Sequence, residues 1–175
     1  MSGFYKSHSR EGFTLLELFV VIAIIGILAV LFLPNISFVL AKFDRAVCTQ
    51  KLRGLHVAFL GSLNDGNGWP QVPKDVKIGS LEEQQWWLDY STNNLDLKLS
   101  DWQCPTISRF QRSSTNSSQK ALICYWPTLF DSRPMSPKTW PKMPWFTEFA
   151  DAHGRGNLCV RPDGSVESVF EAGSH

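Results

Sequence analysis

The sequence has little excess charge and few charged residues of either sign. Its 17 basic residues nearly balance 16 acidic ones in 175 residues, and charged residues make up only 19% of the chain. Nucleic-acid-binding proteins usually carry a basic patch or stripe, so this balance gives no support for a nucleic-acid partner. With 43% apolar residues, 12 glycines and 10 prolines, the composition also excludes a disordered chain, a collagen-like chain and a polytopic membrane protein.

The sequence also lacks the short motifs of common metal centres and enzymes. None of its four cysteines forms a Cys-x-x-Cys pair, and its histidines do not have the spacing of metal ligands. It contains no Gly-x-Ser-x-Gly sequence, no Walker loop and no paired-carboxylate motif. We therefore expect no metal ion, no cofactor and no enzymatic activity.

What the sequence does contain is one long apolar run. Eighteen of the 21 residues from Phe13 to Leu33 are apolar. At about 1.5 Å per residue, a helix of this length spans roughly 31 Å, enough for the core of a bilayer. A secretory signal peptide fits poorly, because the run is too long and no small-residue cleavage site follows it. Glu17 lies inside the run, where a carboxylate is costly unless it has a partner.

The residues around this acid carry a family resemblance. The segment GFTLLEL at residues 12–18, after a short basic leader, resembles the prepilin N-terminal motif of type IV pilins and type II secretion pseudopilins. The resemblance implies that residues 1–12 are a leader and that a membrane aspartyl peptidase cuts after Gly12. The same enzyme would then methylate the new N-terminal Phe13. Pro34 matches the proline that usually kinks the helix in this family.

The resemblance also gives Glu17 a role. In a filament core built of packed helices, Glu17 can pair with the cationic N-terminus at Phe13 of a neighbouring subunit. A subunit out of register would leave an unpaired charge in a low-dielectric core, which costs several kcal/mol. We therefore expect Glu17 to set the register of assembly.

Residues 36–63 are predicted to form an amphipathic helix that continues from the apolar segment. Apolar residues recur there at steps of three and four, which places them on one face. The run Asn64-Asp65-Gly66-Asn67-Gly68 predicts the end of this helix. Its alternating oxygens and glycines leave a calcium loop as an alternative to a plain turn, although the bidentate glutamate of such loops is missing.

The C-terminal part predicts a β-hairpin over residues 156–170, turning at Pro162-Asp163-Gly164. His153, nine intervening residues and then Asp163-Gly164 match a His-x9-Asp-Gly element that is found near the C-terminus of a subgroup of pilin-like proteins. We expect a structural role for this element. His153 would bond to a hairpin carbonyl or pair with Asp163.

The cysteines and tryptophans leave two questions open. Four cysteines allow three disulfide connectivities, and free buried thiols are the alternative. A Cys48–Cys104 bond would tie the domain to its helical stem. Of seven tryptophans, Trp140 and Trp145 lie in or beside a proline-rich stretch that predicts an irregular surface excursion. They are candidates for a surface that binds an exoprotein or polysaccharide, with core packing as the alternative. The four cysteines are Cys48, Cys104, Cys124 and Cys159.

Together these features predict an α+β, pilin-like fold: a long kinked N-terminal helix packed on a small antiparallel sheet. Residues 1–12 would be the leader, 13–35 the transmembrane and filament-core helix, 36–63 the amphipathic helix, and 64–175 the globular domain. The predicted function is that of a single-pass inner-membrane subunit, with its C-terminal domain periplasmic or extracellular, that assembles into a type II secretion pseudopilus. Its partners would be copies of itself, other pilin-like subunits, the prepilin peptidase and an inner-membrane platform. A type IV pilus or DNA-uptake pilin, or a membrane-anchored adhesion module, are the alternatives.

Overall fold

A computed structural model describes residues 14–32, 36–113, 121–133, 136–154 and 156–169. The chain divides into two compact units between Val39 and Leu40. Gly12, Phe13 and Pro34, which carry the predicted cleavage, methylation and kink, lie outside the described residues.

The first unit contains α1, Leu15–Phe32. The large apolar side chains that the structure describes on this helix are all exposed, by 44% at Val21 to 75% at Leu16. No helix among the described residues is both long and apolar enough to cross a membrane. The predicted apolar segment at 13–35 includes four residues, 13 and 33–35, that are not described.

The helix α2, Ile36–Asn64, supplies the stem of the second unit. Its apolar residues at the start of the helix are exposed, whereas five of those from Cys48 onward are buried in the core. The helix ends at the predicted stop, where Gly66 takes a positive φ of 88°. Lys138 donates to the side-chain oxygen of Asn64 at 2.8 Å, so a cation from the protein already occupies one oxygen of this loop. The buried apolar residues of α2 are Cys48, Leu52, Leu55, Phe59 and Leu63.

Two more helices and a short turn follow. The helix α3 covers Leu81–Leu95, and the side chain of Ser80 caps it by accepting from the backbone of Glu83 at 3.2 Å. The sequence over residues 81–90 predicts a short helix followed by a loop or short strand, but α3 runs on to Leu95. It continues because Ser91 is fully buried, where it accepts a hydrogen bond from the indole of Trp102 at 3.0 Å. A 3₁₀ turn, Leu99–Trp102, and the helix α4, Pro105–Ser113, come next.

The sheet has four short antiparallel strands in the order β1-β2-β3-β4. A single turn of helix, α5, lies between the first two strands along the chain, and β3 and β4 form a hairpin within the predicted range 156–170. Helices and a small antiparallel sheet confirm the predicted α+β class. The strands are β1 Tyr125–Pro127, β2 Phe146–Glu148, β3 Asn157–Val160 and β4 Val166–Val169, and α5 is Ser136–Thr139.

An aromatic core joins α2 to the sheet. The ring of Phe59 lies 4.9 Å from Phe146 and 5.3 Å from Trp69, measured between ring centroids. Trp145 is fully buried, and its indole N–H donates to the carbonyl of Pro137 at 2.9 Å. Of the two alternatives for Trp145, core packing is therefore the one that holds, because the chain folds back over its indole. Trp140, 61% exposed, does lie on the surface.

Candidate functional site

The predicted assembly residue Glu17 lies in the first turn of α1. Its carboxylate accepts from the backbone N–H of Thr14 at 2.8 Å and from the Thr14 hydroxyl at 2.9 Å. The backbone N–H of Glu17 in turn donates to the Thr14 hydroxyl at 3.3 Å. This is a capping box, in which two side chains satisfy the free N–H groups at the start of a helix. The Thr-x-x-Glu spacing could have predicted it from sequence.

The two parts of the His-x9-Asp-Gly element, His153 and Asp163-Gly164, have separate structural roles. Asp163 accepts from the backbone N–H of Ser165 at 2.9 Å, and Gly164 has a φ of 80°, so both residues shape the β3–β4 turn. A ring nitrogen of His56, on α2, is 2.9 Å from the carbonyl oxygen of Pro162 in the same turn. The turn therefore docks on α2 through His56, a residue for which no sequence pattern indicates a role.

His153 has other partners than the sequence predicted. Its Nε2 atom is 3.2 Å from Oε1 of Glu148 and 3.7 Å from Sγ of Cys104. Asp163 bonds within its own turn instead. The predicted pairing of His153 with Asp163 or with a hairpin carbonyl is therefore wrong. The physical reason is that a short turn satisfies the carboxylate of Asp163 locally and leaves His153 to the interior.

Four potential metal ligands converge in this interior. Sγ of Cys48, Sγ of Cys104, an oxygen of Glu148 and a ring nitrogen of His153 all lie within 4.8 Å of one another. The two sulfur atoms are 3.0 Å apart. Both cysteines are 0% exposed, and the side chains of Glu148 and His153 are 0% and 1% exposed. We call these four residues the buried cluster.

Burial and mutual contact shift the proton affinities within the buried cluster. A hydrogen bond from the Cys48 thiol is the main cause that lowers the pKa of Cys104 to about 4, with a further contribution from His153. Burial alone would lower the pKa of His153, but contacts with Cys104 and Glu148 outweigh it and raise that pKa to about 9. Burial raises the pKa of Glu148. The cluster thus concentrates titratable groups where water cannot solvate their charges.

The other two cysteines lie outside the buried cluster. Cys124 and Cys159 are both buried, and all four thiols are free. Burial raises the pKa of Cys124 to about 11, as expected for a thiol that acts as a small apolar side chain. Of the cysteine pairs considered from sequence, the structure brings Cys48 and Cys104 together.

The spacing of cysteines and histidines along the chain predicts no metal ligands, but the fold brings potential ligands together from separate segments. Cys48 comes from α2, Cys104 directly precedes α4, Glu148 ends β2 and His153 lies in the following turn. No short motif can show ligands that come from separate segments. Glu148 was missed altogether. The only local signal is its position two residues after Phe146 and directly before Phe149.

Comparison with known proteins gives two matches. One is to a family model at the N-terminus, and the other is to a relative over part of the chain. Residues 7–33 match the family described as the prokaryotic N-terminal methylation motif. The chain is also 36% identical over 72 residues to the type II secretion system core protein G of Pectobacterium carotovorum subsp. carotovorum. That alignment covers 41% of this chain and 46% of the relative, so the chain spans about half the length of the curated relative it matches. No solved structure matches the chain.

These matches agree with the features described above. The family match covers the predicted cleavage residue, the methylation residue and Glu17. Residues 7–33 therefore carry the prokaryotic N-terminal methylation motif, and both comparisons support the resemblance to pilins and type II secretion pseudopilins.

Proposed function

We propose that the chain is a pilin-like structural subunit that prepilin peptidase processes and that assembles into a type II secretion pseudopilus. The match of residues 7–33 to the N-terminal methylation motif is the observation that carries this proposal. The similarity to a type II secretion core protein favours the pseudopilus over a surface pilus or an adhesion module.

The character of α1 supports an assembly role. A helix that is apolar on all faces needs an apolar environment, either lipid or neighbouring helices. Its large side chains, exposed by half or more at most positions, offer that surface to copies of the same helix. In this proposal α1 anchors the subunit in the inner membrane and then becomes part of the filament core, while the second unit faces water.

Glu17 would connect capping with assembly. In the single chain its carboxylate already accepts two hydrogen bonds from Thr14. A carboxylate can accept about four hydrogen bonds, so acceptor sites remain for the amine of a neighbouring Phe13 after leader removal. A buried charge without that amine would be costly, which makes the pair selective for register.

The decisive experiment compares Glu17→Ala with the matched control Glu82→Ala. Both remove an exposed acid from the first turn of a helix, but Glu82 lies on α3 in the globular unit. We expect Glu17→Ala to insert in the membrane normally and to be lost from sheared, cross-linked filaments, whereas Glu82→Ala assembles like the wild type. Normal incorporation of Glu17→Ala would contradict the assembly proposal.

Two further measurements test the processing of the leader and the choice between type II secretion and a type IV pilus. Mass spectrometry of the mature protein should show an N-methylated Phe13, and an intact leader would refute the prepilin assignment. Deleting the gene should reduce secretion of exoproteins. A defect in pilus-dependent motility or DNA uptake with normal secretion would favour a type IV pilin instead.

A further inference from the structure

We propose that Cys48, Cys104, Glu148 and His153 form a structural metal site that takes a thiophilic divalent cation, with Zn²⁺ the best match. This inference does not depend on the proposed function, because it concerns only the interior of the second unit.

The ligand atoms of the cluster converge on one nitrogen of His153. The same nitrogen of His153, Nε2, approaches both the carboxylate of Glu148 and the sulfur of Cys104. In a catalytic Cys-His-acid arrangement the acid and the sulfur contact opposite nitrogens of the imidazole. Here both face one nitrogen, and the sulfur of Cys48 faces the same region. That pattern suits a central ion and not a proton relay.

The orientation of the Glu148 carboxylate also favours a metal ion. One of its oxygens, Oε2, accepts from the backbone N–H of Leu158 at 3.3 Å. The other, Oε1, is buried and lies 3.2 Å from Nε2 of His153, on the side of the two sulfurs. Metal-binding carboxylates are commonly held in this way, with a hydrogen bond to one oxygen that aims the other at the ion.

The distances between the ligand atoms are close to those of a zinc site. Metal–ligand bonds of about 2.0–2.3 Å in a tetrahedral zinc site place neighbouring ligand atoms roughly 3.3–3.8 Å apart. The cluster shows 3.0 Å between the sulfurs, 3.2 Å between nitrogen and carboxylate oxygen, and 3.7 Å between nitrogen and Cys104 sulfur. Its widest pair is within 4.8 Å, so the site would form if that pair closed by about 1 Å and the two sulfurs moved apart by about 0.8 Å.

A metal ion would satisfy the cluster better than a disulfide between its two cysteines. A Cys48–Cys104 bond would use the two sulfurs and leave the buried carboxylate and the buried imidazole with only each other as partners. A divalent cation engages all four side chains and compensates the negative charge that burial disfavours. Two thiolates with an imidazole and a carboxylate form a donor set that suits zinc, and four protein ligands leave no open position for a substrate. Each thiol releases its proton on binding.

Such a site would fasten α2 to the start of α4 and to the end of β2. These segments are far apart in the chain, so the unfolded chain does not hold the four ligands together, and the free energy of binding the ion adds to the stability of the folded state. The expected role is stability of the second unit.

The test uses the full-length chain in detergent, reduced and freed of metal. We expect one equivalent of Co²⁺ to produce thiolate-to-cobalt charge-transfer absorption and intense tetrahedral bands, and Zn²⁺ to abolish both by displacement. Zn²⁺ should also raise the midpoint of thermal unfolding. Cys48→Ser and His153→Gln should lose the charge-transfer bands or weaken Co²⁺ binding at least 10-fold. Cys159→Ser, a buried cysteine outside the cluster, should behave like the wild type.

Three results would overturn the proposal. The first is a folded, reduced wild-type chain that shows no cobalt charge-transfer band. The second is equal loss of the band in Cys159→Ser and Cys48→Ser. The third is a chain isolated from cells whose intact mass shows a Cys48–Cys104 disulfide and which binds no Co²⁺ after reduction. Glu148→Gln gives a conservative check if the cysteine variants fail to fold, because it keeps the size of the side chain, removes its charge and should weaken Co²⁺ binding.

Discussion

The docking of the hairpin turn on α2 can be tested at Gly164. This residue has a φ of 80°, and a Cβ built on it would lie 3.3 Å from Cε1 and 3.4 Å from Nδ1 of His56. Gly164→Ala should therefore destabilise the protein in two ways, by backbone strain and by contact with the imidazole. Gly79 provides the matched control, because it has the same φ of 80° and nothing within 4 Å of its Cβ position.

The two contributions have separate magnitudes. A non-glycine residue in the left-handed region costs about 1–2 kcal/mol, which both alanine variants share. The imidazole of His56 cannot easily move, because it lies 4.6 Å from the ring of Trp145 and 2.9 Å from the carbonyl oxygen of Pro162. Overpacking of a constrained interior group adds about 1–3 kcal/mol. We therefore expect Gly79→Ala to cost about 1–2 kcal/mol and Gly164→Ala about 2–5 kcal/mol.

The assay is urea unfolding of the full-length chain in detergent, followed by tryptophan fluorescence. Adding His56→Ala to each glycine variant completes a double-mutant cycle. The cost of Gly164→Ala should fall toward that of Gly79→Ala once the imidazole is absent, while Gly79→Ala should be unaffected. Equal costs for the two glycine variants, or no coupling to His56, would refute the docking contact as a source of stability.

Two further stability predictions concern the core. Trp145→Ala should lower the free energy of unfolding by about 3–5 kcal/mol, whereas the exposed Trp140→Ala should change it by less than about 0.5 kcal/mol; similar losses for both would contradict the burial of Trp145. Gln84→Met should cost about 2 kcal/mol, because the buried Gln84 carbonyl accepts from the backbone N–H groups of residues 122 and 123 at 2.7 and 3.3 Å. The exposed Gln85→Met is its control in the same urea titration, and an equal effect at both positions would show that these hydrogen bonds do not stabilise the fold.

The N-terminal features were accessible from sequence because they are local. The apolar run, the acid inside it and the residues around Gly12 are contiguous, so no knowledge of tertiary contacts is needed to see them. The same holds for α2, whose buried positions follow a helical period, and for the turn at Pro162-Asp163-Gly164. Element ends were less accessible. The extension of α3 to Leu95 depends on a side chain from outside the helix, the indole of Trp102, which bonds to Ser91.

Proline density was a misleading local signal. It correctly disfavours a long helix or an inner strand over 127–144, but it says nothing about where the neighbouring side chains go. Trp145 is buried because the chain returns to pair β2 with β1 and β3, and that pairing is a long-range event.

The sequence alone determined the class of this protein: a methylation motif, an apolar segment with Glu17 inside it, and an α+β domain behind it. Local periodicity and contiguous motifs carry that information, because neighbours in the chain stay neighbours in the fold. Only the tertiary structure decided what His153 contacts and which cysteines meet. Cys48, Cys104 and Glu148 are separated by 56 and 44 residues in the chain, and packing of α2 against β2 brings them together in the core. Residue spacing cannot reveal such a cluster, because the energy that assembles it comes from burial of the surrounding apolar side chains and not from the cluster itself.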